Sequence, residues 1–360
     1  MKTLHVLLAA VLLLGGCTTP YRPAVVVRDS TPFPGIAAIA AANGARPVDV
    51  LLVHGMCTQD AGWAERSIDR VAGAVAAHAP AAPAVAAGNG IQLVERTRQL
   101  GGGTVRFHAL LWSALTAPLK HQLDYDNTAA PTDCAADQVC KPVRAALNAS
   151  VKDRLLNDCL ADAVIYEGAS HEAIRDAMVE TVSRIVAANP DPGGTLVVVA
   201  ESLGSKMLFD ALSAMLASNE TATRALGQLA ARRLGLIYMA GNQLPILGLA
   251  EQSLVASAMP AQDALQRFLD LRRRQPGQRA ERLQRLAVVA FTDPNDVLSY
   301  RLLPARYAAP DVAVADVLVS NARTWLGLLE NPVAAHRGYL ANPEVGVLIA
   351  CGFPRVPGCR

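Results

Sequence analysis

The amino-acid sequence predicts an α/β fold around a mostly parallel central sheet flanked by helices, and three observations carry that expectation. The first is a set of short apolar runs, VDVLLVHG from Val48, TLVVVA from Thr195, LGLIYMAG from Leu234 and RLAVVAF from Arg285. Runs without polar alternation suit strands buried on both faces, as in a parallel sheet. The second is order: from Ser170 onward such runs alternate with helical stretches, as βαβ units require. The third is size, since roughly 340 residues follow Cys17 and can enclose one large core.

Taken in order, the chain opens with Lys2, an apolar run from Leu4 to Leu14 and the tetrapeptide LGGC ending at Cys17. A basic start and a short apolar stretch describe a signal peptide over residues 1–16, too short to span a bilayer. LGGC resembles the lipobox of bacterial lipoproteins, which implies lipidation at Cys17 and attachment to a membrane through that anchor. Members of that family held at the inner membrane usually carry aspartate after the cysteine. Thr18 stands there instead, so the resemblance implies an outer-membrane lipoprotein facing the periplasm, with surface exposure left open. Residues 17–47, rich in proline and alanine and without an amphipathic period, read as an extended tether.

Residues 48–360 are expected to form one domain. The strand from Val48 ends at His54-Gly55, and an alanine-rich helix is expected from Trp63 to His78. IQLVERTRQLGGGTVRFHALLW alternates on both sides of Gly101, Gly102 and Gly103, which predicts two neighbouring strands joined by a glycine turn. About 117–166 no strand pattern appears, and the charged helical stretches there read as a largely helical cap insertion. Then follow a helix to Asn189, a strand Thr195–Ala200, a helix Gly204–Ser218, the strand from Leu234, a basic amphipathic helix Ala261–Arg274, the strand ending at Phe291 and a last strand VADVLV.

Composition narrows the function. A formal charge of +2 and the lack of basic–aromatic clusters exclude a nucleic-acid footprint. Six cysteines remain after Cys17, an even number that in an exported chain favours disulfides. Closeness in sequence suggests Cys134–Cys140 and Cys351–Cys359, which leaves Cys57 and Cys159 for a longer bridge, although spacing alone does not fix the pairing. No cysteine spacing matches a zinc ribbon, and His121, Asp124, Tyr125 and Asp126 match neither HExxH nor a calcium loop, so no metal is expected. The arginine run Arg272–Arg274 reads as a solvated helix end.

The chemistry centres on AESLG, Ala200–Gly204, a variant of G-x-S-x-G between a strand and a helix. A sharp turn there needs small residues two positions either side of Ser202, and alanine keeps that space. A serine that merely caps the helix is the alternative. A nucleophilic serine needs a base, and His336 is the one histidine that follows Ser202. The base in turn needs a carboxylate; Asp293 and Asp296 both follow the strand ending at Phe291, and Asp296 is preferred, with the other left to a turn. Backbone amides of Leu203 and Met56 are the expected oxyanion donors. His54 and Gly55, and Asn242 and Gln243 after the next strand, are expected to meet the substrate.

With these residues in their order the chain resembles the α/β-hydrolase superfamily of the lipase and esterase kind, from Val48 to the C-terminus with 117–166 as a non-matching insertion. Asn295-Asp296, followed by apolar Val297 and by Arg301-Leu302 ahead of Pro304, is similar to the acid loop of fungal class 3 lipases. The resemblance implies a serine hydrolase of carboxylic esters, acting on an ester or lipid substrate through an acyl-enzyme, with no cofactor. A non-catalytic binding lipoprotein on the same fold and an acyltransferase using the same triad are the alternatives.

Overall fold

The computed structural model describes residues 17–27, 32–73, 85–86, 89–128, 131–134, 140–254, 261–275 and 285–355. The signal segment 1–16, the end of the helix expected to reach His78, and Cys359 lie outside these residues.

A nine-stranded sheet forms the centre. Its strands are β1 Val25–Val26, β2 Val48–Val53, β3 Val85–Ala86, β4 Gln92–Leu100, β5 Gly103–Leu111, β6 Thr195–Glu201, β7 Leu234–Ala240, β8 Leu286–Thr292 and β9 Val312–Leu318. They lie in the order β1-β9-β8-β7-β6-β2-β5-β4-β3. From β9 to β5 neighbours run parallel, and the edge pairs β1 with β9, β4 with β5 and β3 with β4 are antiparallel. Every residue of β2, β6, β7 and β8 is buried, as their largely apolar runs require, with Asp49 in β2 paired with Arg106 and Arg233. At the β4–β5 hairpin the chain turns through Gly101 and Gly102, both at positive φ. A Cβ on Gly101 would also lie 2.3 Å from the backbone oxygen of Ala37, so a side chain is excluded there twice over.

Helices cover both faces. On one side lie α1 Ile36–Asn43, α2 Ala61–Gly73 and, near the C-terminus, a helix Pro343–Cys351. On the other lie α3 His171–Ala188, α4 Leu203–Ala217, α5 Thr221–Arg233 and α6 Ala264–Arg273. The segment expected as a cap carries helices at its two ends: Ser113–Lys120, a 3₁₀ stretch His121–Asp126, and a continuous run from Ala146 through π-helical turns Val151–Leu160 to Glu167. The disulfide Cys57–Cys159 ties that run to the loop after β2, and Cys134–Cys140 closes a short loop within the same segment. Cys351 is disulfide-bonded as well.

The described residues of 17–47, that is 17–27 and 32–47, are not an extended tether. Cys17–Thr18 pair with Thr324–Trp325, β1 pairs with β9, and Phe33–Pro34 pair with Gly352–Phe353. Helix α1 is wedged beneath the C-terminal helix: a Cβ on Gly35 would meet the backbone of Cys351 at 2.3 Å. Its sequence, IAAIAAAN, is apolar on every side because neighbours cover it on several, so it shows no amphipathic period to read.

Strand order reverses between β2 and β6. From β6 the chain moves outward through β7, β8 and β9, and from β2 it moves the opposite way to β5 and β4. The crevice at the C-terminal ends of two such strands is where open parallel sheets present ligand-binding loops. Gly55 and Ser202 lie there.

Candidate active site

Ser202 follows the last residue of β6 and precedes the first of α4, and its backbone stands at φ 51, ψ −126. Positive φ is uncommon for a non-glycine residue and persists only where the surroundings hold it. Here they do. The Ser202 amide donates to Ala240 O at 2.7 Å, and Gly204 passes so close to β2 that a Cβ on it would lie 2.3 Å from His54 O. Ser202 does not cap α4 with its side chain, so the capping alternative does not describe it.

Its hydroxyl is instead 3.1 Å from Nε2 of His336. The imidazole Nδ1 lies 2.9 and 3.0 Å from the two carboxylate oxygens of Asp296. Serine, histidine and aspartate thus form one line of hydrogen bonds, buried at all three members. His336 is carried by a short helix, Pro332–Arg337, whose first turn is capped by Asn331 Oδ1. Asp296 is fixed from two further directions: Leu298 N–H donates to Oδ1 and the Tyr339 hydroxyl donates to Oδ2, each at 3.0 Å.

Asp293 has the other role. Its oxygens accept backbone N–H groups of Asn295 at 2.9 Å and Asn321 at 2.6 Å, binding the loop after β8 to the loop after β9. Burial raises its pKa despite those bonds.

The loop after β2 is held still by the helical insertion. Asp162 Oδ2 accepts from Cys57 N at 2.8 Å, Thr58 bonds Asp158, and Lys120 bridges Asp158 and Asp162. Together with the Cys57–Cys159 bridge these contacts immobilise Met56, whose side chain is buried. Leu203 is the first residue of α4, a position whose N–H has no intrahelical acceptor.

The four residues expected to touch substrate are placed differently. His54 is fully buried, stacked on Trp112 at 4.6 Å, donating through Nδ1 to Gly55 O and accepting at Nε2 from Trp112 N. Burial holds it neutral, with its pKa lowered to about 3. It shapes the turn from within. Gly55 packs on Ser202, where a Cβ would come within 2.7 Å of the serine Cβ. Asn242 is buried and ties its loop to Tyr300 and Leu244. Gln243 is buried too, and its Oε1 has no hydrogen-bond partner among the described residues.

Comparison with family models, curated proteins and solved structures finds no match to this chain. The site therefore speaks through its own geometry.

Two supporting residues escaped the sequence reading. Tyr339 lies three positions after His336, a spacing that only the local helical turn makes meaningful. Glu201, between an apolar strand and the serine, is a charged residue where the pattern wants none, and that was its signal. Its carboxyl faces the Trp63 side chain and the Leu340 backbone, and burial raises its pKa to about 7 although His336 and Arg337 favour its charge. Trp63 and Leu340 also line a groove of about 540 Å³, together with Gln59, Arg66, Arg70 and Arg337.

Proposed function

We propose that the chain is a serine hydrolase of carboxylic esters, of the α/β-hydrolase kind, working through an acyl-enzyme. The observation that carries this reading is the hydrogen-bonded line from Ser202 through His336 to Asp296, starting at a serine whose positive φ projects it from a strand-to-helix turn.

In this mechanism Ser202 Oγ attacks the acyl carbon as His336 Nε2 takes its proton. Asp296 keeps the Nδ1–H tautomer in place and stabilises the imidazolium that forms. The carbonyl oxygen, now negative, is received by the N–H groups of Met56 and Leu203, donors that need no rearrangement because the disulfide and the helix start already fix them. His336 then protonates the departing alcohol, and water repeats the sequence to release the acid. The insertion from Ser113 to Glu167 acts as the cap beside the acyl site, and no cofactor takes part. Attachment to an outer membrane through a lipid at Cys17 is part of the same proposal; the cysteine is exposed and its thiol unbonded, as such a modification needs.

A screen of chromogenic esters graded by acyl length tests the reading. Turnover that Ser202→Ala abolishes without lowering the melting temperature supports it, and unchanged turnover in that variant refutes it.

A further inference from the structure

The loop from β9 to the His336 helix carries a short hairpin, TWLGLL, whose tip is apolar and bare. Trp325, Leu326, Leu328 and Leu329 are exposed by 62%, 57%, 80% and 72%. Isolated exposed leucines are ordinary, whereas four large apolar side chains within five residues mark a surface meant to be covered. The hairpin is built, not frayed: Leu328 N bonds Trp325 O at 2.9 Å and Trp325 N bonds Leu329 O at 2.7 Å. The turn sets Leu326 at φ 53 and Gly327 at φ 67. A bulky side chain held in the left-handed region and pointed at water gains nothing inside the molecule that offsets either disadvantage.

Two neighbours indicate what covers it. Cys17 pairs with Trp325 and Thr18 with Thr324 in an antiparallel bridge, so the N-terminal segment leaves the fold beside the hairpin tip. A lipid on Cys17, as proposed above, would place acyl chains at that point. The loop after β8 also exposes Val297 and Leu303, by 66% and 61%. An indole flanked by leucines, with an exposed arginine, Arg323, just before it, suits the boundary between lipid headgroups and acyl chains.

We propose that the 324–329 hairpin is a membrane-docking surface that inserts into a lipid bilayer next to the Cys17 anchor. The hairpin is rooted in the candidate site. Glu330 at its base accepts from Asn295 Nδ2 at 2.7 Å, and Asn331 caps the helix bearing His336. Docking there turns the edge that carries Ser202 toward the membrane. The proposal rests on the lipid anchor proposed at Cys17 and is independent of the hydrolase activity.

The test is fluorescence of the full chain on phosphatidylethanolamine–phosphatidylglycerol vesicles with plain or brominated acyl chains. Trp63 and Trp112 are buried, and subtracting a Trp325→Phe variant isolates the Trp325 signal. The expected result is blue-shifted Trp325 emission quenched by the brominated lipid. In Leu328→Ser/Leu329→Ser, hairpin insertion weakens by about tenfold or more, because burying even one leucine is worth about that factor. Equal Trp325 emission on plain and brominated vesicles overturns the proposal. So does a dimer in solution that the double serine variant turns into monomer, which would give the face to a second copy. Failure of the hydrolase reading would leave the quenching untouched, so the two fail separately.

Discussion

Gly55 and Ser202 meet across the gap between β2 and β6, with room for no more than a hydrogen on the glycine: a Cβ there would lie 2.7 Å from the serine Cβ and 3.1 Å from Glu201 O. Gly55→Ala must therefore push Ser202 or the loop that carries Met56. Overpacking of this kind costs about 1–3 kcal/mol of stability. A displacement near 1 Å costs on the order of 100-fold in rate. Ester hydrolysis assays beside thermal melts check this; an alanine variant with full kcat would mean the contact does not hold the serine.

The two aspartates after β8 should separate by what they lose. Asp296→Asn leaves the shape but presents His336 with a wrong partner, so kcat should fall by roughly 10⁴ with modest loss of stability. Asp293→Asn replaces one acceptor of two backbone N–H groups with a donor and should destabilise by about 1–3 kcal/mol while slowing turnover far less. The reverse ranking in kcat would contradict the assignment.

Tyr339→Phe removes one of the donors that aim Asp296 and the acceptor for Asp293 N–H. The expected effect is about a tenfold drop in kcat with KM nearly unchanged, and about 1–3 kcal/mol lost in chemical denaturation. A change confined to KM would place Tyr339 in substrate binding instead.

The central strands were legible in the sequence because they are buried on both faces, which leaves a largely apolar run with a turn at its end. Ser202 and Asp296 were legible for a related reason, since each stands at or just past a strand end where polar residues interrupt that pattern, whereas His336, on a short helix, was legible only as the one histidine after Ser202. Helix α1 and the pairing of Cys17–Thr18 were not, since an all-apolar octapeptide and a two-residue bridge carry no period. Helix α5 was missed as well. The burial of His54 was hidden because its partners, Trp63 and Trp112, come from a helix and a strand end that only the folded sheet brings together.

His54 and Glu201 should give opposite pH signatures in stability. Burial lowers the His54 pKa from the ordinary 6.5 to about 3, so below pH 6.5 the unfolded chain binds a proton the folded chain refuses. Stability should fall as pH drops from 6.5 toward 3, by up to roughly 5 kcal/mol from this group. Burial raises Glu201 from 4.5 to about 7, so its contribution is complete below pH 4.5 and is lost as pH rises through 7, by up to roughly 3 kcal/mol. Denaturation of wild type against His54→Asn and Glu201→Gln, compared as differences across pH, checks both. Parallel curves would contradict the burial argument.

The central claim is that Ser202 is a nucleophile activated by His336, and intact-mass analysis after exposure to a fluorophosphonate tests it most directly. The account predicts a single adduct mapped to Ser202, absent in Ser202→Ala and formed much more slowly in His336→Ala. A folded wild-type protein that takes up no label at Ser202, or one that labels equally fast without the imidazole, would contradict it.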